Sequence, residues 1–578
     1  ERARNYFFWK ETTKGKNRKM KSLILVSLLG FLCLSAAADW QRTSNQVVND
    51  DHSFIFKVAL KQQNMDYLDS LLWQIADMNS PFAGKYLTHD QIADIISLPE
   101  EQIQQVEQYL TKDSGKFCDV DIHRSLHRDF IYVNTCAAQA KLIFPNLDLA
   151  VYENEDKLVL RNSIIVDIGS NATLLGVPQE LHQYIEAIHD VTDLPITHYR
   201  SAADPSLPWA TNTKELTIKD MIEFFGVNYD GIDASTLKAD DGQVRQGVIE
   251  LNHAGFSQKE LVAYQKRYGL PINPINKVVG TEETSTNSVE ASLDVQTITG
   301  ISGNLETWDF VFNGTTGWID VLEAIMGTKG APKVYSVSWV AFENSFSDSQ
   351  LTATNNAFLK FGAAGFTFVE GSGDWGPNLE NNCTTYVATF PSSSPYVLSV
   401  GGTKINKDNN IEEAWMHSGG GFSGRLARPS YQDGKVNQYL SIANLPTDNN
   451  TYPTTGRAFP DISAFGAFQP VLANGSYQPV GGTSAATPQI AAMIALINVH
   501  RYQKGMGPVG VANPTLWKLD NVGFDVTIGQ SYAANPSGYC PGTYLPGFPA
   551  TKGWDAITGL GSPDFNTILQ AFLSKSEQ

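Results

Sequence analysis

A glycine-rich turn followed by a long apolar run constrains this chain more than any other feature. Residues 481–488 read Gly-Gly-Thr-Ser-Ala-Ala-Thr-Pro, and Ile490 to Val499 is apolar almost throughout. The glycines permit a sharp turn, Pro488 suits the first turn of a helix, and the apolar run predicts a buried helix. Ser484 would then lie near the positive end of the helix dipole, where a nucleophile facing an oxyanion is favoured. An ordinary turn capping a buried helix fits these residues equally well.

Length and charge restrict the class of protein. The chain has 578 residues, 42% of them hydrophobic, which is enough for a large core and two folded domains. Residues 1–38 carry eight Lys/Arg and two Glu, a net charge of +6, so the formal charge of −18 becomes −24 for the remainder. Such acidity argues against binding to nucleic acids or anionic membranes and suits an acidic compartment.

The N-terminal region has the layout of a secretory signal peptide. Met20-Lys21 is followed by a short apolar stretch to Leu34 and by small residues to Ala38. We interpret residues 20–38 as the signal and residues 1–19 as an upstream or non-native extension. The apolar stretch is too short to span a membrane. We therefore expect a soluble product of the secretory pathway, lysosomal or extracellular.

Secretion makes the cysteines interpretable as disulfides. Cys33 leaves with the signal, and the four others allow three pairings. We favour Cys118–Cys136 and Cys383–Cys540, because neither bridge would then cross a cut near residue 200. Glycosylation sequons that fit this route begin at Asn171, Asn313, Asn382, Asn449 and Asn474.

Residues 39–200 are predicted to form a small α+β domain. His52 to Leu60 and Asp129 to Asn134 alternate like strands, Thr88 opens a helix with a capping box, and Leu181 to Ile188 has a helical pattern. The Pro/Ser-rich segment 201–208 resembles a linker. This layout predicts an activation propeptide with a processing linker, although a permanent accessory domain has the same layout.

Residues 209–578 are predicted to form an α/β catalytic domain. Short apolar strands alternate with helical stretches at Val248 to Leu251, Val334 to Trp339, Phe366 to Val369 and Tyr396 to Val400. This spacing indicates a parallel sheet with helices on both faces. Reactive residues should then lie at the carboxyl ends of the strands.

Three carboxylates are candidates for chemistry. Glu290 and Asp294 share one helical face, are surrounded by apolar residues, and have no Lys or Arg between Lys277 and Lys329 to neutralise them. Asp374 follows a strand in a glycine-rich turn and, if buried, could donate a hydrogen bond to an oxyanion at acid pH. A solvated acidic face and a turn-stabilising Asp are the respective alternatives.

The histidines give poor support for a Ser-His-Asp triad. Only His253, His417 and His500 follow the linker, and none has the glycine-flanked setting typical of subtilisins. A carboxylate base, which works best when neighbouring carboxyls share a proton, is the better candidate. Asp525 and Asp555 bracket a loop that could bind Ca²⁺ through hard oxygen ligands, although turn-forming aspartates explain them as well.

Together these motifs resemble the sedolisin family of acid-acting serine-carboxyl peptidases, which includes tripeptidyl peptidases and kumamolisins. The resemblance covers nearly everything after the signal. Residues 80–98 are similar to the propeptide motif, Glu290-Ala-Ser-Leu-Asp294 to the acidic helix motif, Ser372-Gly-Asp374 to the oxyanion motif, and Gly482-Thr-Ser484 to the nucleophile motif. Further blocks of the family are present at 390–403 and 459–461.

The resemblance implies a subtilisin-like fold and a role for each matched residue. Ser484 would be the nucleophile, Glu290 its base, Asp294 the partner of Glu290, and Asp374 the oxyanion stabiliser. Trp339 would line a substrate pocket. Calcium would bind to the side chains of Asp525 and Asp555 and to backbone carbonyls of Val526, Thr551 and Gly553.

Four positions depart from the family pattern: Gly481, Val340, Trp375 and Thr551. Val340 and Trp375 lie near the expected substrate pockets, so the subsite preference cannot be transferred. Thr551 replaces a usual Gly and weakens the calcium assignment.

The sequence thus predicts a monomeric proenzyme that is inhibited by its own propeptide and activated at acid pH. It would cut peptides or proteins as a tripeptidyl exopeptidase or an endopeptidase. A histidine-dependent subtilisin and a catalytically silent binding glycoprotein are the rival predictions.

Overall fold

The structure is a computed structural model. It describes residues 40–43, 46–154, 157–163, 171–200, 212–229, 237, 242–281, 288–380, 383–446, 452–534 and 545–574. The predicted signal peptide, the linker 201–208 and Cys540 lie outside these ranges.

The N-terminal unit combines antiparallel strands with short helices, as the sequence predicts. Its strands are β1 (Gln41–Arg42), β2 (Ser53–Leu60), β3 (Asp121–Arg124), β4 (Phe130–Cys136), β5 (Leu149–Asn154), β6 (Lys157–Asn162), β7 (Ile185–His189) and β8 (Tyr199–Arg200). Its helices are α1 (Met65–Ala76), α2 (His89–Ile96), α3 (Glu100–Thr111), α4 (Ala137–Ile143) and α5 (Ala172–Leu175), with a 3-10 turn at Gln179–Leu181. One sheet has the order β3-β4-β2-β7, and a second has the order β1-β5-β6.

One element of this unit differs from the sequence prediction. The capping box at Thr88 is present, with Gln91 as its reciprocal partner. The predicted helix at Leu181 to Ile188 is wrong, because β7 occupies its second half and pairs antiparallel with β2. Apolar residues at 181, 185 and 188 have helical spacing, but Ile185, Ala187 and Ile188 are buried along a strand. Tertiary pairing therefore overrides the local pattern.

The larger unit is built on an eight-stranded sheet. The sheet strands are β9 (Arg245–Glu250), β10 (Lys277–Gly280), β11 (Glu306–Val311), β12 (Val334–Val337), β14 (Thr367–Gly371), β16 (Leu398–Ile405), β17 (Glu412–Ala414) and β20 (Ile462–Phe465). Their order is β10-β11-β9-β12-β14-β16-β17, with β20 also paired to β16. All neighbours are parallel except β16 and β17.

The remaining strands form small sheets around this one. They are β13 (Trp339–Phe342), β15 (Thr389–Phe390), β18 (Gly421–Ala427), β19 (Gly456–Phe459), β21 (Gln469–Ala473), β22 (Ser476–Val480), β23 (Gly523–Phe524), β24 (Gln530–Ala533), β25 (Leu545–Pro549) and β26 (Ser562–Pro563).

Helices cover both faces of the central sheet. They are α6 (Ile218–Phe225), α7 (Gln258–Tyr268), α8 (Val289–Ser302), α9 (Trp318–Gly327), α10 (Asp348–Ala363), α11 (Asp433–Ile442), α12 (Thr483–Gln503), α13 (Asn513–Lys518) and α14 (Phe565–Leu573), with 3-10 turns at Glu343–Ser345 and Ser430–Gln432. α8 and α12 belong to the core on one face, and α9 and α10 to the core on the other. In the described parts of the chain, no helix is long and apolar enough to cross a membrane.

The nucleophile helix begins earlier than the sequence suggests. Gly482 precedes it with φ 148°, a backbone conformation that favours glycine, and Thr483 is its first residue. Pro488 lies inside the helix rather than in its first turn. Since proline has no N–H, it donates nothing to the carbonyl of Ser484 four residues earlier. Ser484 therefore lies in the first helical turn, not in the preceding loop.

The N-terminal unit docks on the α9–α10 side of the catalytic unit. Leu68 and Leu72 of α1 share a core with α9 and α10. Lys360 of α10 forms a buried ion pair with Asp129 of the N-terminal unit. β8 pairs antiparallel with β13, with Trp339 opposite Arg200. The last described residues before the linker thus form an edge strand on the catalytic unit.

The disulfide prediction is confirmed for the first pair. Cys118 and Cys136 are bonded. Cys383 is also disulfide-bonded, but its predicted partner Cys540 is outside the described residues. The sequon at Asn171 is buried, and its side-chain amide donates to the carbonyl of Ile188. That amide is therefore not accessible to glycosylation in the folded chain.

A buried acid connects several elements near the site, and its loss should destabilise the fold strongly. Asp461 accepts hydrogen bonds from Arg457 (2.6 Å), Trp517 (2.7 Å) and Asn513 (2.9 Å), all buried. Asp461→Ala leaves the Arg457 charge buried without its carboxylate, which should lower the unfolding free energy by about 3–5 kcal/mol in chemical denaturation at neutral pH. The control Asp348→Ala breaks an exposed pair with Arg425 and should cost less than about 1 kcal/mol. Equal losses in both variants would contradict this role for Asp461.

Candidate active site

The site is built where two buried helices lie side by side. α8 and α12 pack along each other, and their N-terminal turns meet in a small apolar cluster that includes Leu293 and Ala485. Ser484 is fully buried in the first turn of α12. The packing brings the turn that carries Ser484 beside the turn that carries Glu290 and Asp294.

The predicted carboxyl pair is buried rather than solvated. Glu290 is 2% exposed and Asp294 is 0% exposed. Asp294 accepts a hydrogen bond of 3.1 Å from the hydroxyl of Ser338, which lies between β12 and β13. Burial, and then the adjacent Glu290 charge, raise the pKa of Asp294 well above its usual value. The pair can therefore retain a proton in acidic solution.

Asp374 is attached directly to the nucleophile turn. Three residues beyond the end of β14, it accepts hydrogen bonds from the backbone N–H of Thr483 (2.7 Å) and from its hydroxyl (3.0 Å). The hydroxyl of Thr483 in turn accepts from the N–H of Gly373 (3.1 Å). Asp374 is 4% exposed. These bonds fix the carboxyl next to the residue that precedes Ser484.

Further buried acids surround the pair, and sequence reasoning missed them. Glu250 ends β9 and accepts a hydrogen bond from the indole of Trp339 (3.2 Å), while Glu370 lies in β14. Burial and the charge of Asp294 raise the pKa of both Glu250 and Glu370 well above the usual value. Asp309, on β11, is buried nearby and raises the pKa of Glu250 further. The rule that functional residues lie at carboxyl ends of parallel strands would have indicated Glu250.

Trp339 differs slightly from its predicted position. It begins β13 instead of ending the preceding strand, and it is fully buried. The backbone of β13 is where residues 199–200 add as a strand. β13 is therefore a surface on which an extended chain binds by main-chain pairing.

The histidines after the linker are unfavourably placed or buried. His500 follows Ser484 by sixteen residues in the same helix, about 24 Å along its axis at 1.5 Å per residue. The ring of His253 lies 2.8 Å from the carbonyl of Thr281. His417 lies near the turn that carries Asp374, since its carbonyl accepts from the N–H of Gly376, and burial lowers the pKa of its ring to about 4. Of the three, His417 is the one that a mutational test has to include.

The predicted cation loop is formed by two segments that contact each other, one at Asp525 and the other at residues 551–555. Asp525 accepts a hydrogen bond of 3.0 Å from the N–H of Gly553, and Asp555 accepts from the N–H groups of Thr551 and Thr558. Asp555 is fully buried, and burial raises its pKa to about 7. The hydroxyl of Thr551 is buried and makes no hydrogen bond within the described residues. A buried carboxyl and an unsatisfied oxygen at one loop fit a hard cation such as Ca²⁺.

These side chains together provide the chemical groups that acyl transfer to a serine requires. A hydroxyl stands at a helix N-terminus, a buried carboxyl pair that can share a proton stands beside it, and a third carboxyl is fixed at the end of a strand. Nucleophile, base and oxyanion donor are the roles that such groups can perform.

Comparisons with known families agree with this architecture. Residues 39–194 match the family described as "Pro-kumamolisin, activation domain", and residues 302–519 match the subtilase family. The chain is therefore a serine peptidase with an activation propeptide.

Similar proteins narrow the class of serine peptidase to which this chain can be compared. Tripeptidyl-peptidase 1 of Macaca fascicularis is 28% identical over 534 residues, covering 89% of this chain and 91% of that protein. Tripeptidyl-peptidase 1 of Canis lupus familiaris is 27% identical and covers 94% and 99%. The kumamolisin-type activation domain and these relatives together support the sedolisin family of serine-carboxyl peptidases for this chain. A solved Pseudomonas sedolisin aligns with 63% of this chain and 99% of its own at 23% identity and a TM-score of 0.48.

The buried acids should make stability depend on pH. Glu250, Asp294 and Glu370 have pKa values raised by folding, so their contribution to stability is complete below about pH 4 and is lost as the pH rises towards neutrality. Each can remove up to about 1.4 kcal/mol per pH unit. Glu370→Gln should therefore make the decline in melting temperature between pH 5 and 7 shallower than in the parent. The exposed Glu223→Gln is the control and should follow the parent, whereas an unchanged slope in Glu370→Gln would refute the assignment.

Proposed function

We propose that this protein is an acid-acting serine-carboxyl peptidase, made as a secreted proenzyme, that uses Ser484 as nucleophile. The observation that carries the proposal is the buried pair Glu290 and Asp294 on a helix packed beside the Ser484 turn. A buried carboxyl pair that shares one proton offers both a base and an acid below neutral pH.

The reaction would follow acyl transfer. Glu290 accepts the hydroxyl proton as the Ser484 oxygen attacks the scissile carbonyl, and Asp294 supports Glu290 through the shared proton. Protonated Asp374 donates a hydrogen bond to the resulting oxyanion. Glu290 then returns the proton to the leaving amine, an acyl-enzyme forms on Ser484, and water activated by Glu290 releases the acid product.

The docked propeptide would keep the enzyme inactive. Its last described strand, β8, occupies the edge of β13, where an extended substrate would otherwise pair. Removal of residues 39–200 after a cut in the 201–208 linker would free that edge. The docking of α1 and Asp129 on α10 supports this autoinhibitory role.

The names of the similar proteins favour tripeptidyl exopeptidase activity over endopeptidase activity. Both similar proteins named above are tripeptidyl-peptidases, and this chain covers nearly their whole length. Peptides with a free N-terminus are therefore the substrate class that we propose, in the lysosomal or extracellular part of the secretory pathway.

We also propose that Ca²⁺ binds to the side chains of Asp525 and Asp555 together with the backbone carbonyls of Val526, Thr551 and Gly553. The bonds between Gly553 and Asp525 and between Thr551 and Asp555 hold these segments together. Bound Ca²⁺ would neutralise the two carboxylates and connect the loop to the fold.

Acidification of the purified proenzyme tests the catalytic assignment. The parent should convert near pH 4, whereas Ser484→Ala and Glu290→Ala should stay full length on gels, with peptide cleavage reduced by at least about 10³-fold. Asp374→Ala should lose about 10²–10³-fold in kcat. His417→Gln is the matched control and should convert like the parent.

Two results would change the proposal. Full activity of Glu290→Ala together with loss of activity in His417→Gln would establish the histidine-dependent mechanism instead. A parent that neither converts nor cleaves would support a silent binding glycoprotein. Cleavage of an unblocked peptide alone selects the exopeptidase, and cleavage of an N-terminally blocked peptide selects the endopeptidase.

Chelation tests the cation loop. EDTA should lower the melting temperature of the parent, and added Ca²⁺ should restore it, since a ligand at about 100 times its Kd stabilises by about 2.7 kcal/mol. Asp525→Asn should start at the lower melting temperature and no longer respond to EDTA. A parent that does not respond to EDTA or Ca²⁺ would contradict the calcium assignment.

A further inference from the structure

Buried imidazoles lie at the interface between the propeptide and the catalytic domain. His127, in the turn between β3 and β4, is 0% exposed and neighbours Lys360 of α10. His198 precedes β8 and packs edge-on against Trp318 of α9, with 5.3 Å between ring centroids. All these histidine contacts with α9 and α10 are lost when the propeptide leaves. The surroundings of these two imidazoles therefore depend on docking, as do those of His89, which faces Met326 and Lys333.

The local geometry requires His127 to be neutral or to share its proton. Its Nε2 lies 3.1 Å from Nδ1 of His89, and a hydrogen bond between two imidazole nitrogens needs one lone pair. Both rings cannot be protonated while that bond exists. Nδ1 of His127 is buried and has no hydrogen-bond partner in the described part of the chain. A second proton on this pair would therefore face Lys360 without a free acceptor.

The acid nearest to His127 is Asp129, and it already has an ion-pair partner and hydrogen-bond partners. Asp129 forms the buried ion pair with Lys360 and also accepts from Gln62 (2.6 Å) and Ser125 (2.8 Å). Burial would raise the pKa of Asp129, but Lys360 holds it below its usual value. Asp129 consequently stays ionised in mild acid and keeps Lys360. Its charge favours a protonated His127, but burial and the charge of Lys360 outweigh it, so the pKa of His127 is lowered.

His198 has a similar setting. Its Nδ1 is buried and has no hydrogen-bond partner among the described residues. Of the two acids that line its cavity, Asp190 pairs with Lys57 at 2.7 Å, whereas Asp193 lies 3.8 Å from the ring of His189. The other charged or titratable groups that face the two histidines from the elements packed there are Lys157, Arg161, Asp320, Glu323 and Lys333.

We propose that His127 and His198 are the pH sensor of the proenzyme: they are neutral when the propeptide is docked, and their protonation drives the propeptide off the catalytic domain. This inference rests on the proposed acid activation and assigns the groups that respond to acid.

The direction of the effect follows from proton linkage. Burial lowers the pKa of His198 to about 4 and, with Lys360, that of His127 to about 3, whereas an exposed imidazole has a pKa near 6.5. Docking is therefore at full strength above about pH 6.5 and weakens as the pH falls below it. Each histidine weakens docking about tenfold per pH unit, or about 100-fold at pH 4.5.

Two carboxyls at the interface act in the opposite direction. Burial raises the pKa of Asp69, which accepts from the hydroxyl of Tyr396, and the pKa of Glu323, which accepts from the N–H of Leu126. Both favour the docked state as the pH falls. The release at acid pH must then come from the basic groups, and the histidines are those that titrate in this range.

Because both histidines lie in the propeptide, their substitution tests activation without altering the mature enzyme. His127→Gln, His198→Gln and the double variant change only the propeptide, so every variant yields the same mature enzyme. Conversion is followed by gel from pH 3.5 to 6.5, and His52→Gln, a half-buried propeptide residue whose ring contacts Asn49, is the control. We expect each single variant to convert at least about tenfold more slowly at pH 4.5 and the double variant more slowly still, with unchanged rates for His52→Gln.

A second measurement separates docking from catalysis. In the inactive Ser484→Ala proenzyme at pH 5, hydrogen exchange in α9 and α10 should be slower with the histidine substitutions than without them, and equal at pH 7. Where His198→Gln does not fold, His198→Phe keeps a ring against Trp318. Coincident pH profiles of the parent and the double variant would overturn the sensor. A parent that neither converts nor cleaves peptides would instead contradict the proposed function.

Discussion

Carboxyl groups buried without a cation are the constraint on which this structure depends. Within the described residues, Glu250, Asp294 and Glu370 form no ion pair with Lys or Arg, and burial raises the pKa of each. Ionising them together in a low-dielectric core would be costly, so the core must hold protons. An arrangement of this kind has its lowest free energy in acid. The same protons allow one carboxyl to act as a base while its neighbour acts as an acid.

Hydrogen bonds connect the buried carboxyl groups to the backbone elements around Ser484. Asp374 accepts hydrogen bonds from the N–H and hydroxyl of Thr483, which join the turn after β14 to the start of α12. Ser338 connects the β12–β13 junction to Asp294, and Trp339 connects it to Glu250. The strand that would pair with a substrate thus begins at a residue held by the acid cluster. In the proposed function, substrate binding and proton distribution would share these contacts.

Sequence reasoning located the short-range features and missed those that depend on pairing between distant segments. Motif spacing indicated Glu290, Asp294, Asp374 and Ser484 as candidates, because each lies within a local pattern of turn or helix residues, and the structure places them in one buried region. Glu250 and Glu370 stand in strands where neighbouring residues suggest only a core, and their proximity to Asp294 arises from strand order. The strand at Ile185–His189 was misassigned for the same reason, since β2 supplies its partner from more than a hundred residues away.

Acid has opposite effects on the stability of the catalytic unit and on the docking of the propeptide. In the catalytic unit the folded state raises carboxyl pKa values, so proton binding stabilises it. At the interface the docked state lowers histidine pKa values, so proton binding opposes docking. A fall in pH therefore strengthens the catalytic fold while it weakens the attachment of the inhibitor. Because both responses come from burial and from charges already present in the fold, the proposed order of events requires no additional switch: the propeptide would leave under the conditions in which the exposed enzyme is most stable.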